Sequence, residues 1–330
     1  MNLIICTTPF QMLIAEKILD LYKYEDFELH LFCNVKNEKY KYYYNRLKRK
    51  VKVSKIYLFN RESSAKYLLF LIKLKLASFL MKKIDRIFVG SIDNAHIHIH
   101  IHIHNYIENG TKLYTFDDGT ANIFYDSFFY KDISYSYKKS LVRFLMCRNI
   151  NLNKIKSKSL LHYSVFKNKK NIIDNIEYVN LFDNDKKKRF SSNSMVSHAK
   201  DITILIGQPI YESIHSFSCD KGKYKEVVKT LMVKYDIDYY FPHPREDFVI
   251  AGINYINTEK ILEDYIISGL ENGYRYVVYT FFSGAVIALS NMESVEIISL
   301  KLNAPDLEKY YSIMIDIENV KIIDDDTVIN

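Results

Sequence analysis

The sequence predicts a two-domain α/β protein built from two Rossmann-like halves, each a parallel sheet covered by helices on both faces. Three observations carry that prediction. Short apolar runs alternate with longer segments of helical spacing, which is the rhythm of βαβ units. The rhythm runs twice, from Asn2 and again from Asp201, with a basic and irregular stretch between. Only nine Gly and five Pro occur in 330 residues, where an average chain of this length has about forty, so collagen-like, linker-rich and low-complexity classes are excluded. With 48% hydrophobic residues, including 28 Tyr and 20 Phe, the chain has ample apolar mass for a large core or two.

In the first half, Asn2 to Cys6 (NLIIC) reads as a buried strand. Thr7, Thr8 and Pro9 then turn into a helix over Phe10 to Leu21, with Pro9 suited to the first helical turn. Strand-like Phe27 to Phe32, a polar helix over Asn37 to Lys48, strand-like Val51 to Leu58, a helix over Lys66 to Lys83 and strand-like Arg86 to Val89 follow. The Lys66 to Lys83 run is interrupted by Lys73 and Lys75 and falls short of the roughly 18 apolar residues that a spanning helix requires. It reads either as an amphipathic core helix or as an interfacial helix contacting a membrane with basic edges. His96 to His104 alternates His and Ile with a period of two, which alone suggests a strand; the α/β rhythm asks for a crossover helix, and we adopt the helix. The repeat is expected at the surface, with metal binding and a pH response as alternatives. Lys112 to Phe116 is a further strand and leads into Asp117-Asp118-Gly119-Thr120. Paired carboxylates and a Gly at the carboxyl end of a parallel strand sit where open α/β sheets bind ligands; an acidic turn or helix cap accounts for the same residues.

From Tyr137 to Phe190 the chain reads as a basic excursion followed by an interdomain linker. The expected domains are therefore residues 1–190 and 191–330. The second half continues as strand Asp201 to Ile206, turn Gly207-Gln208-Pro209, helix Lys221 to Lys234, strand Asp238 to Phe241 and helix Thr258 to Ser268. Strand Arg275 to Thr280, helix Ser283 to Leu289, strand Val295 to Ser299 and helix Pro305 to Ile313 complete it. The acidic end, Asp316 to Asp326, is expected to pack back across the hinge.

A net charge of +7 favours anionic small molecules or an anionic membrane surface. No RNP-type or zinc pattern accompanies the basic stretch, so nucleic acid is not an expected partner. Cys6, Cys33, Cys147 and Cys219 show no CxxC spacing and no signal peptide precedes them, which reads as reduced thiols in a cytoplasmic protein.

The chemistry-bearing residues cluster after strands. Pro242-His243-Pro244-Arg245 fixes one His between two of the five prolines and beside a permanent cation, which suits proton or hydrogen-bond donation to an anionic leaving group. Thr280-Phe281-Phe282-Ser283-Gly284-Ala285 offers small residues, free N–H groups and a hydroxyl at a strand-to-helix junction, as a phosphate requires; an ordinary Ser N-cap explains the same residues. GxGxxG, Walker and HExxH motifs are absent from the sequence. A carboxylate pair on one half, a His and a phosphate-type turn on the other and a cleft between them fit a two-domain sugar-nucleotide transferase.

The same residues carry a family resemblance. Asn2 to Cys6 leading to Gln11, Asn37-Glu38-Lys39-Tyr40, Thr115 to Thr120, His243-Pro244-Arg245 and Tyr279 to Ala285 together resemble bacterial sialyltransferases of glycosyltransferase family 52, over nearly the whole chain and in order. The resemblance implies a GT-B-type fold, CMP-sialic acid as donor, a galactose-terminated glycan of lipooligosaccharide or capsule as acceptor, inversion at the anomeric carbon and no metal or other cofactor. It also implies that Asp117 or Asp118 deprotonates the acceptor, that His243 protonates or hydrogen-bonds the departing phosphate, and that Ser283 holds it. Thr7, Thr8, Gln11, Gly119, Gly207, Pro244, Arg245 and Gly284 complete the expected substrate-binding set. Some family members carry an acidic residue just after the Gly-x-Pro turn; here that residue is Ile210, and Glu212 two residues on is the substitute base to consider. The family also contains α-glucosyltransferases, and a non-catalytic sugar-nucleotide binder is the non-enzymatic alternative. A homodimer and peripheral contact with the cytoplasmic membrane face are the remaining expectations.

Overall fold

A computed structural model describes residues 1–34, 37–59, 64–77, 84–103, 110–131, 137–147, 150–181, 201–212 and 220–327. The chain divides into two compact units, Met1–Leu181 and Phe182–Asn330. Residue 190, where the sequence placed the domain boundary, lies outside the described residues.

The first unit runs β1 (Asn2–Cys6), α1 (Pro9–Leu21), β2 (Phe27–Cys33), α2 (Glu38–Lys48), β3 (Val53–Leu58), α3 (Ser64–Ala77), β4 (Arg86–Val89), α4 (Ala95–Ile103) and β5 (Lys112–Phe116). It then continues with α5 (Tyr137–Cys147), α6 (Leu152–Lys158), β6 (Ser159–Ser164) and β7 (Ile176–Tyr178). The seven strands form a parallel sheet in the order β3-β2-β1-β4-β5-β6-β7. In the interior strand β1, Ile4 pairs with Leu29 on one side and Phe88 on the other, and all of β1 is buried, as a strand covered on both faces must be. The caps are local: the Thr8 hydroxyl accepts from the Gln11 N–H and Pro9 begins α1, while Asn37 Oδ1 accepts from the Tyr40 N–H ahead of α2.

Two expectations for this unit need correction, the excursion and the surface position of the His repeat. The stretch from Tyr137 is not an excursion, because β6 and β7 extend the sheet beyond β5. Its inner side chains, His162, Tyr163 and Ser164, are buried but mostly polar, which hides the strand from a hydrophobic pattern. The helix expected over Lys66 to Lys83 is described as α3, ending at Ala77; residues 78–83 lie outside the described residues. The His repeat is helical, as the α/β rhythm required, but it is not at the surface: His96, His98, His100 and the intervening Ile97, Ile99 and Ile101 are all buried. A period of two on a helix distributes both residue types around the axis, so the helix is buried only because each His meets a partner. The His98 ring lies 2.7 Å from the Ile92 carbonyl, His96 3.1 Å from the Tyr67 hydroxyl and His100 2.6 Å from His30. Among the described residues no group of three or more His, Cys, Asp or Glu side chains is arranged to hold a metal.

The second unit runs β8 (Ile202–Ile206), α7 (Lys221–Lys234), β9 (Tyr239–Phe241), α8 (Leu262–Glu271), β10 (Tyr276–Thr280), β11 (Val295–Leu302), α9 (Glu308–Ile315) and β12 (Val320–Asp325). Its sheet is parallel in the order β12-β11-β10-β8-β9. The acidic end therefore forms an edge strand against β11 rather than a strap across a hinge. The helix expected over Ser283 to Leu289 is instead a 3₁₀ turn at Gly284–Val286, held by bonds such as Ile287 N–H to the Gly284 carbonyl. The helix expected over Thr258 to Ser268 begins four residues later, at Leu262. Cys6, Cys33 and Cys147 are buried thiols, and Cys219 lies outside the described residues.

Candidate active site

Each sheet has a point where the chain reverses the direction in which it adds strands, and in such sheets the crevice at the carboxyl ends of the two strands is the ligand site. In the first unit this point lies between β1 and β4 and in the second between β8 and β10. The sequence-predicted residues assemble at both.

At the first, Thr7 follows β1, Ser91 follows β4 and the acidic pair follows β5. Gln11, wholly buried on α1, joins them. Its Oε1 accepts the Thr7 N–H at 2.6 Å, and its Nε2 donates to Ser91 Oγ at 2.7 Å and to the Asp118 carboxylate. The Thr7 and Ser91 hydroxyls are 2.6 Å apart, and Ser91 Oγ donates to Asp118 Oδ2 at 3.1 Å. Asp118 is thus a partly accessible carboxylate held by two neutral donors. Burial, with Asp93 nearby, pushes its pKa up to about 6. Asp117 is in a different state. It is completely inaccessible and accepts from Ser164 Oγ, the Val165 N–H and Asn171 Nδ2, each at 2.8 Å, while His162 Nε2 lies 2.9 Å away. These partners occupy its carboxylate lone pairs and tie β5 to the end of β6. Gly119 has φ 147°, a conformation that side chains disfavour. Thr8 is used as the α1 cap. Sequence reasoning did not find Ser91 or its neighbour Gly90, where an added Cβ would stand 2.8 Å from the Gln11 side chain. A single Gly-Ser pair after a short strand carries no pattern.

At the second point the Gly207-Gln208-Pro209 turn and the Ser283 turn meet. Gln208 Oε1 accepts the Phe282 N–H at 3.1 Å, and the Ser283 hydroxyl accepts the Ala285 N–H at 3.4 Å as an N-cap ahead of Gly284. A chain of hydrogen bonds then connects this point to the Pro-His-Pro segment. The Gln208 N–H donates to the Tyr224 hydroxyl at 3.0 Å, the Tyr224 and Tyr240 hydroxyls are 3.0 Å apart, and Tyr240 donates to Glu246 Oε1 at 2.7 Å. Glu246 Oε1 also accepts the His243 N–H at 2.9 Å. Gly207 is required sterically, since a Cβ there would lie 2.2 Å from Glu246 Oε1 and 2.9 Å from the His243 backbone nitrogen. His243 Nδ1 accepts the Arg245 N–H at 3.1 Å, so the neutral ring carries its proton on Nε2. Burial, reinforced by Arg245, lowers the His243 pKa to about 4. At neutral pH this is an uncharged ring presenting one N–H. Pro244 is exposed beside it. Glu212 is ion-paired with Arg245 at 2.7 Å on the surface, and Ile210 is buried in the core of the unit, where packing decides its identity. Tyr224, Tyr240 and Glu246 were not recognised in the sequence, because their roles depend on a fold-built chain of hydroxyls.

Two parallel-sheet α/β units, with carboxylate, imidazole and small-residue turns at the carboxyl ends of their strands, are the architecture of the GT-B fold. The chain belongs to glycosyltransferase family 52, whose sequence model matches residues 25–304. It is 32% identical over 306 residues to the CMP-N-acetylneuraminate:beta-galactoside alpha-2,3-sialyltransferase of Pasteurella multocida (strain Pm70), covering 92% of each chain. It is 30% identical over 305 residues to the N-acetyllactosaminide alpha-2,3-sialyltransferase of Haemophilus influenzae, covering 92% of this chain and 93% of that one. Among solved structures, the S. aureus MnaA-UDP co-structure aligns with a TM-score of 0.50 at 10% identity over 98% of this chain and 83% of that one, a likeness of fold.

Proposed function

We propose that this glycosyltransferase is an inverting sialyltransferase that moves sialic acid from CMP-sialic acid to a terminal galactose of a bacterial surface glycan, lipooligosaccharide or capsule, through an α-2,3 linkage. The observation that carries the reading is the match, across 92% of the chain, to two enzymes named as α-2,3-sialyltransferases. In this mechanism Asp118 is the general base. Its pKa of about 6 leaves it ionised at neutral pH yet basic enough to take a proton. As the galactose oxygen bonds to the anomeric carbon of sialic acid, its proton passes to Asp118. The bond from that carbon to the CMP phosphate breaks, and its electron pair leaves with CMP. The His243 Nε2–H, already neutral and oriented, stabilises the charge gathering on the phosphate by hydrogen bonding. The Ser283 hydroxyl, whose own proton is left to donate while its oxygen accepts from Ala285, supports the same phosphate. Asp117 holds Asp118 in place, and Glu212 orients Arg245. The transfer is proposed to need no metal.

The test is release of CMP from CMP-sialic acid with a lactoside acceptor, with and without EDTA, beside UDP-glucose and UDP-galactose. Turnover of CMP-sialic acid that survives EDTA is the expected result. Turnover of UDP-glucose alone would replace the reading with a glucosyltransferase, and binding of CMP without any turnover would make the chain a sugar-nucleotide binder.

A further inference from the structure

Helix α3 buries Leu71 and Leu74 but leaves Leu68, Leu69, Ile72 and Leu76 between 41% and 61% exposed, spaced so that all four lie along one face. Beside it α5 exposes Phe144 and Leu145, at 53% and 61%. The two helices are joined directly: Lys75 Nζ donates to the Leu145 carbonyl, and both pack on the buried α4. The result is two neighbouring helices that each expose apolar side chains. Soluble proteins rarely expose such a surface without a partner for it.

Charge identifies the partner. Neither helix contains Asp or Glu, and α3 carries Lys66, Lys73 and Lys75, of which Lys66 and Lys73 are exposed. A second copy of this chain would bring two such basic faces together, which disfavours self-association through them. An apolar face with cations and no acidic residue matches the boundary of an anionic bilayer, where apolar side chains enter the acyl region and lysines reach the phosphates. No described helix is long and apolar enough to cross a membrane, so the contact is one of surface embedding. We infer that the α3–α5 face of the first unit docks the protein on an anionic phospholipid bilayer.

Vesicle flotation tests this without any sugar donor, so its outcome is separate from that of the transferase reading. The full chain is expected to float with vesicles of about one-third phosphatidylglycerol and to remain below with pure phosphatidylcholine. The Leu69→Glu/Phe144→Glu double variant changes only exposed positions. It is expected to keep the wild-type thermal transition and lose about tenfold or more in vesicle partitioning. Because the chain has no Trp, Leu69→Trp supplies a single emitter, and its emission should shift to the blue on anionic vesicles. Equal flotation of the double variant, or an unmoved Trp emission, overturns the inference. It is also overturned by a wild-type dimer that the double variant converts to monomer, which would make the face an interface between copies.

Discussion

Asp117 Oδ1 and His162 Nε2 lie 2.9 Å apart with both side chains entirely out of solvent. The next residue in the chain, Asp118, is partly accessible and accepts from Gln11 and Ser91 instead. Two adjacent aspartates thus have different surroundings: one joins strands and the other is the base proposed above.

This division gives opposite outcomes for the same substitution. Asp117→Asn replaces an acceptor oxygen with a donor facing Ser164, Val165, His162 or Asn171, so at least one charge-assisted bond is lost among buried partners. It should cost about 2–4 kcal/mol in denaturant unfolding. Asp118→Asn removes a carboxylate whose ionised form burial disfavours. Its melting temperature at neutral pH should be unchanged or higher, while kcat falls by about 10²–10⁴.

The pH profile follows from Asp118 as well. Its base form is present above about 6, so kcat/KM should fall as pH drops through that value. The Ser91 hydrogen bond favours the ionised carboxylate, and Ser91→Ala should move the acidic limb to higher pH. A limb unmoved in Ser91→Ala would assign the titration to another group.

His243 is neutral above about pH 4, so the contribution proposed for it is a hydrogen bond rather than a delivered proton. His243→Ala should lower kcat by about 10²-fold or more, whereas His243→Gln, which still offers an N–H, should recover part of it. Equal losses in the two variants would argue for proton delivery.

Gly207→Ala should act on the same segment from outside it. The new Cβ collides with Glu246 Oε1 and with the His243 backbone nitrogen, and backbone does not yield as a side-chain tip does. The expected result is a large rise in the KM for the donor with a modest loss of stability, measured by donor titration and thermal unfolding.

Acid should loosen the first unit through Glu28 and His30. Glu28 is lowered to about 2, chiefly by its hydrogen bond from His30 and then by Lys55, and burial lowers His30 below its ordinary 6.5. Both folded values are depressed. The His30 contribution is therefore lost as pH falls below 6.5, and that of Glu28 as pH falls from 4.5 towards 2. Thermal unfolding should show a declining transition temperature below pH 6.5, with a shallower decline in His30→Gln.

Much of the fold was legible because β1, β2, β4, β8 and β10 are central strands whose apolar runs report burial on both faces. β6 and β7 were not, since β6 buries His162 and Ser164 for Asp117 and β7 is an exposed three-residue edge. Of the candidate site, Asp118, His243 and Ser283 were singled out by type and position at strand ends, and Gln11 by the family resemblance. Assigning different work to Asp117 and Asp118 needed the structure, because it depends on β6 and on the loop reaching Asn171, more than forty residues away. Likewise the tie from Gln208 through Tyr224 and Tyr240 to Glu246 joins elements that show no common spacing.

The buried α4 raises a problem of alignment during folding. Its His-Ile alternation maps onto itself when the chain slides by two residues, yet in a helix that slide is about a 3 Å translation with about a 200° turn. Each His then lands on a site another His had held, and each Ile on an Ile site, at almost the same hydrophobic gain. What separates the two settings is where the repeat begins, at the Asn94 carbonyl that accepts from the Ile97 and His98 N–H groups. The helix therefore takes its register from its ends rather than from its own letters.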